Sequence, residues 1–307
     1  MPNFPALTLQ SIPHMRAGSE AFMPRPSNAE LRRGGEYTVD EHLVSGPEGA
    51  PDVALIVCRP TSATAPTPVL FYIHGGGMFS GTARDTLGDI VSLAATIRAA
   101  VVSVEYRLAP ETPHPGPIED CFAGLIWTVS HAEEIGVDPD RVVLIGGSAG
   151  GGLAAALALL ARDRGAPALS GQLLMCPMLD DRNNSPSVRQ MASLRMWNQS
   201  DNEVGWTALL GADRGEEVSP YAAPARATDL AGLPPTFIDV GSADSFRDED
   251  VSYASRIWAA GGEAELHVWP GGFHGFESIA PQAALSRAAV GARTSWLRRL
   301  FAEVSAQ

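Results

Sequence analysis

The stretch LIGGSAGGGLAAALALL, residues 144–160, places five glycines within nine residues, directly after a strand-like apolar run and directly before a helix-like one. A chain that passes from a buried strand into a buried helix through such a turn has few folds open to it. Turns of this kind either cradle a dinucleotide phosphate or lift a nucleophilic side chain clear of a sheet. Gly150, Gly152 and Ala155 do fit G-x-G-x-x-A, the dinucleotide spacing. That fingerprint belongs on the first strand–helix unit, with an acidic residue closing the next strand about 20 residues on. Here several strand-like runs come earlier, the next one ends in MCP, and Asp180 and Asp181 lie beyond it. The segment Gly146-Gly147-Ser148-Ala149-Gly150 fits G-x-S-x-G instead. In that turn the serine backbone is strained, and the residues two positions either side stay small because strand and helix nearly touch. A helix starting at Ala149 also aims free N–H groups at charge developing beside Ser148.

The rest of the chain alternates in the same way. YTVDEHLV, DVALIVCRP, VLFYI, AVVSVEYR, RVVLIGG, QLLMCP, PTFIDVG and AELHVWP read as strands. Helical spacing occupies IEDCFAGLIWTVSHAEEIG, the run after Ser148, residues 248–260 and residues 282–302. Alternating strands and helices imply an α/β fold with a mainly parallel central sheet flanked by helices. Reactive groups in such folds collect beyond the carboxyl ends of the strands. Two segments break the alternation: residues 1–36, rich in Pro and Arg, and residues 181–222, polar and helical with Trp197 and Trp206. A single domain over 1–307 is expected, with a small helical cap built from these two segments.

Composition narrows the chemistry. All 22 basic residues are arginine. The absence of lysine removes Schiff-base catalysis, a Ser-Lys dyad, a Walker A loop and a kinase-type site. A net charge of −13 has the wrong sign for a nucleic-acid partner. Cys58, Cys121 and Cys176 are too few and too scattered for a disulfide framework or a Cys-x-x-Cys metal site. Cys58 and Cys176, at the ends of apolar strand-like runs, read as small buried hydrophobes, and the lack of a disulfide framework points to a reducing compartment. No signal peptide and no membrane-length apolar stretch is apparent, so a cytoplasmic protein is expected.

His74-Gly75-Gly76-Gly77 follows the buried strand VLFYI and fits the HGGG oxyanion loop, in which the amides of Gly76 and Gly77 join that of Ala149. One such donor is worth roughly 3 kcal/mol of barrier lowering. With HGGG at 74–77, YRLAPE at 106–111, GGSAG at 146–150, SPYAAP at 219–224, DVGSADSFRDE at 239–249 and WPGGFHGF at 269–276, the chain resembles the hormone-sensitive-lipase-like α/β-hydrolases, the bacterial family IV esterases. The resemblance spans nearly the whole chain. It departs at one place: the family usually carries Asp before the nucleophile, and here Gly147 stands there.

A serine hydroxyl needs an imidazole to take its proton, and the imidazole needs a carboxylate to hold its tautomer. Of seven histidines, His274 lies in a glycine-rich loop after the last strand, between Phe273 and Phe276. His74 is expected to shape the oxyanion turn, and His114 to be structural. Asp239 falls inside a strand, while Asp248 and Asp250 fit the first turn of a helix. Asp244 falls in the loop between, and the resemblance places the triad acid there, with Asp248 as the alternative. Ser148, Asp244 and His274 are thus the expected triad, working without cofactor or metal. Phe79, Trp197 and Phe276 are candidate acyl-pocket residues, and Arg107 and Glu111 are expected to stabilise the core. The reading is a serine carboxylesterase acting on small esters of short to medium acyl chain. An amidase or peptidase would use the same triad. A non-catalytic binding module would need no base, and an interfacial lipase would need an apolar lid. The resemblance alone leaves open a homodimer through the last strand or nearby helices.

Overall fold

The computed structural model describes residues 7–19, 25–165, 167–193, 196–211, 215 and 217–304. Eight strands form one sheet: β1 (Tyr37–Val44), β2 (Val53–Pro60), β3 (Thr67–Ile73), β4 (Ala100–Glu105), β5 (Val137–Gly147), β6 (Gly171–Met175), β7 (Thr236–Ala243) and β8 (Ala264–Phe273). The order is β1-β2-β4-β3-β5-β6-β7-β8. From β4 to β8 neighbours are parallel, and β2 is antiparallel to both β1 and β4. The eight expected strands are all present. The exchange of β3 and β4 in the order, and the antiparallel edge, are additions that local patterning does not carry.

The central strands are apolar on both faces because both faces are covered. Every residue of β3 is buried. Its alternate side chains serve two cores: Val69, Phe71 and Ile73 join one, Leu70 and Tyr72 the other. The helices Gly116–Ser130, Ala149–Asp163 and Arg247–Ala259 supply buried residues to the first. The helices Leu87–Ala95 and Ala284–Val304 supply the second. Ala149–Ala161 is buried without interruption, so that helix is apolar all round, as a fully enclosed helix must be.

Among the described residues, the two segments outside the alternation carry short helices and no strand. Ile12–Ser19 and Asn28–Leu31 lie in the first, Pro186–Gln190 and Gln199–Leu210 in the second. Residues 1–6, 20–24, 194–195, 212–214 and 216 of these segments lie outside the described residues. Among the described residues no helix is long and apolar enough to cross a membrane.

Candidate active site

Because β3, β5, β7 and β8 run parallel, their carboxyl ends open on one edge of the sheet, and each end carries one predicted part of the site. Ser148 follows β5 immediately and the next helix starts one residue later. Its backbone takes φ 57° and ψ −124°, a conformation costing a non-glycine residue of order 1–3 kcal/mol. The surroundings hold it there: its N–H donates to the Met175 carbonyl at 2.8 Å, and its carbonyl accepts from Gly152 and Met178 at 3.0 and 2.9 Å. Strand and helix meet too closely for side chains. A Cβ at Gly146 would stand 2.2 Å from the Gly150 oxygen, and one at Gly150 would stand 2.1 Å from that of Ile73. Gly147 is different. A Cβ there would first meet Met175 at an ordinary 3.6 Å.

The loop after β3 packs against this turn, a Cβ at Gly75 lying 3.0 Å from the Gly147 oxygen and 3.5 Å from Ser148 Cβ. Gly76 and Gly77 take φ 115° and 62°, open to glycine and little else. The Gly76 carbonyl accepts from Phe79 and Ser80 at 3.2 and 2.9 Å, closing the turn. Among the described residues no acceptor is found for the amides of Gly76, Gly77 or Ala149. His74 is wholly buried and stacked on Tyr106 at 4.1 Å, with Nδ1 2.8 Å from the Gly75 oxygen. Burial brings its pKa down to about 4, so it is neutral and shapes the turn.

His274, beyond β8, bridges the other two. Its Nε2 lies 2.9 Å from Ser148 Oγ and its Nδ1 2.9 Å from Asp244 Oδ2. Asp244 is buried, and its second oxygen accepts the N–H of Phe246 at 3.0 Å. Burial by itself pulls the His274 pKa down. The Asp244 carboxylate, with a further contribution from Cys176, outweighs it and holds the pKa well above the ordinary imidazole value. The Phe246 ring meets the imidazole edge-on at 5.2 Å.

Other carboxylates are engaged elsewhere. Asp248 accepts from the Ser187 amide and Arg247 at 2.7 and 2.8 Å. Asp239 is buried against Arg293 at 2.9 and 3.0 Å and accepts from Trp269. Arg107 forks onto buried Asp120 at 2.8 and 2.7 Å. Glu111 is not a core residue: its exposed carboxylate pairs with Arg16 at 2.8 and 2.9 Å. Arg16 was not singled out in the sequence, yet it also donates to the carbonyls of Phe79 and Ala109, both at 2.5 Å. It thus ties the N-terminal segment to the loop after β3. Of the three aromatic candidates, Trp197 stacks on Phe79 at 6.1 Å and lies 6.3 Å from His274. Phe276 stands apart from them, in a hollow with Cys176, Asp239, Asp244 and Arg293.

A mostly parallel sheet carrying Ser, His and Asp in contact along its carboxyl edge defines an α/β-hydrolase. Residues 70–278 match the family described by the alpha/beta hydrolase fold. The chain is 36% identical over 269 residues to the carboxylesterase NlhH of Mycobacterium tuberculosis, covering 86% of this chain and 83% of that protein. Among solved structures it is similar to a bacterial heroin esterase, with a TM-score of 0.89 at 39% identity over 97% of this chain and 94% of the other. It is also similar to esterase LipW from Mycobacterium marinum, at 0.85 and 34% over 96% and 91%. The chain belongs to the hormone-sensitive-lipase-like α/β-hydrolase esterases.

Proposed function

We propose that this protein is a serine carboxylesterase for small esters of short to medium acyl chain, with Ser148 as nucleophile, His274 as general base and Asp244 as its orienting carboxylate. The observation that carries the reading is the unbroken contact from Ser148 Oγ through the imidazole to Asp244, at 2.9 Å on each side. With Asp244 accepting from Nδ1–H, the lone pair of Nε2 faces the serine hydroxyl. As Oγ attacks an ester carbonyl, Nε2 takes its proton and the buried carboxylate stabilises the imidazolium that forms. The amides of Gly76, Gly77 and Ala149, free of protein acceptors among the described residues, receive the oxyanion. His274 then protonates the leaving alcohol, and water repeats the cycle on the acyl-enzyme.

The helices Ile12–Ser19, Asn28–Leu31, Pro186–Gln190 and Gln199–Leu210 are the proposed cap over this edge. Ser245 Oγ donates to the Trp197 carbonyl at 2.9 Å, which ties the second segment to the loop bearing the acid. Trp197 and Phe79 close over Gly77, where a Cβ would meet their rings at 2.4 and 2.7 Å. This crowding favours short acyl groups. The test is a p-nitrophenyl ester series from acetate to laurate, run on wild type and Ser148→Ala. Hydrolysis of the short esters by wild type, lost in Ser148→Ala, is expected. Equal rates in the two proteins overturn the reading.

A further inference from the structure

All three cysteines are free and buried. Cys58 and Cys121 belong to the apolar cores, but Cys176 does not. It follows β6 with φ 38°, and its Sγ, a ring nitrogen of His274 and a carboxylate oxygen of Asp244 all lie within 4.8 Å of one another. The hydrolytic cycle uses the last two and leaves the thiol without a task. We propose that Cys176, His274 and Asp244 form an inhibitory site for a thiophilic divalent cation of the Zn2+ type.

The donor set suits such an ion. Zn2+ takes thiolate sulfur at about 2.3 Å, imidazole nitrogen at about 2.0 Å and carboxylate oxygen at about 2.1 Å, usually with a fourth position left to water. Around a tetrahedral ion these atoms stand roughly 3.5 Å apart, so small side-chain rotations bring the present set to bonding distance. The thiol proton leaves to solvent as the metal–sulfur bond forms. The charge around the site also favours a cation. The adjoining hollow is lined by Asp239, Asp244 and Glu277 against one guanidinium, that of Arg293.

Inhibition follows from electron counting on the imidazole. A neutral ring has one free lone pair. If the metal takes Nε2, that atom no longer accepts the serine proton; if it takes Nδ1, the proton must sit on Nε2. Ser148 loses its base in both cases.

This inhibition rests on the catalytic reading above, whereas binding of the ion does not, and the experiment separates them. Hydrolysis of p-nitrophenyl acetate is measured against ZnCl2, with EDTA reversal, for wild type, Cys176→Ala and Cys176→Ser. The Ser148→Ala protein is titrated with Cd2+ and followed by the ultraviolet thiolate-to-metal absorption. The half-inhibiting Zn2+ concentration is expected to rise more than about tenfold in both Cys176 variants, since even an outer-shell partner is worth 10–100-fold in metal affinity. The Cd2+ band is expected in Ser148→Ala and absent from Ser148→Ala/Cys176→Ala. Unchanged Zn2+ sensitivity in the Cys176 variants, or a Cd2+ band that survives loss of Cys176, overturns the site. A Cys176-dependent band in a protein without esterase activity supports the metal site and overturns only the catalytic reading.

Discussion

Asp244 Oδ2 lies 2.9 Å from His274 Nδ1, across 30 residues of chain that include a helix and a strand. Both carboxylate oxygens are engaged and the side chain is buried, so neither water nor rotation competes for the imidazole. Asp244→Asn removes the charge and offers an amide that can impose the wrong tautomer. It is expected to lower kcat on p-nitrophenyl acetate by on the order of 10³–10⁴-fold with the circular dichroism unchanged. Asp248→Asn, whose contacts are to Ser187 and Arg247, is expected to keep kcat near wild type. The opposite ranking would reassign the acid.

The same contact sets a pH dependence. Burial opposes and Asp244 favours the imidazolium, and the carboxylate prevails, so the folded pKa of His274 lies above 6.5. As the proposed general base, His274 works only when neutral. The acid limb of kcat/KM is therefore expected to have its midpoint above 6.5 in wild type and to move to lower pH in Asp244→Asn. The linkage has the opposite sense for stability. A raised histidine pKa stabilises the fold fully below the unfolded value and loses that contribution as pH rises through the folded one. Thermal unfolding across that range should show this loss in wild type and a flatter profile in His274→Gln.

The parts of the site that can be read from the chain are those made by local backbone. Gly146 and Gly150 announce a close strand–helix crossing, and Gly76 and Gly77 announce positive φ. These requirements select glycine whatever lies far away in sequence. What could not be read is made by contacts between distant segments. Arg16 reaching the carbonyls of Phe79 and Ala109, Arg293 enclosing Asp239, and Cys176 standing beside His274 leave no periodicity or spacing behind. Glu111 misleads for the same reason, because YRLAPE shows an acidic residue without showing that its partner is an arginine 95 positions away. The β3–β4 exchange is likewise a property of packing order, invisible to patterning within each strand.

Arg16 makes a prediction about the loop after β3. It donates to the Phe79 carbonyl two residues beyond Gly77, and to the Ala109 carbonyl. Arg16→Ala leaves the proposed triad intact but frees the loop that carries Gly76 and Gly77, two of the three proposed oxyanion donors. A displacement of about 1 Å there costs on the order of 10²-fold in rate. A fall of about 10–100-fold in kcat with the acid-limb midpoint unchanged is expected. Steady-state kinetics across pH would reveal a shifted midpoint, which would instead assign Arg16 to the electrostatics of His274.

Gly147 and Gly146 should part company under substitution. Gly147 has ordinary strand geometry, and an added Cβ finds only van der Waals contact with Met175. Gly147→Ala is therefore expected to raise stability by about 0.4–1 kcal/mol, through the restricted unfolded chain. At Gly146 the added atom would collide with the Gly150 carbonyl at 2.2 Å, a backbone group that cannot step aside. Gly146→Ala is expected to destabilise by several-fold more than that gain and to displace Ser148. Urea denaturation of both variants checks the sign. A destabilised Gly147→Ala would show that this position is restricted by something other than space.

Trp197 offers a prediction about specificity. Its ring sits 2.4 Å from where a Gly77 Cβ would be and stacks on Phe79 at 6.1 Å. The residue is held at both ends, since ring Nε1 donates to Asn202 at 3.2 Å and the backbone carbonyl accepts from Ser245. On the proposed reading, a wall anchored in this way limits how far an acyl chain extends past Gly77. Trp197→Ala opens that space to additional methylenes, each worth about 0.8 kcal/mol when buried, or about fourfold in kcat/KM. The variant is expected to shift its preferred p-nitrophenyl ester to a longer acyl chain, with acetate hydrolysis reduced by loss of packing against Phe79. Identical chain-length profiles for wild type and Trp197→Ala would place the acyl group on another wall of the site.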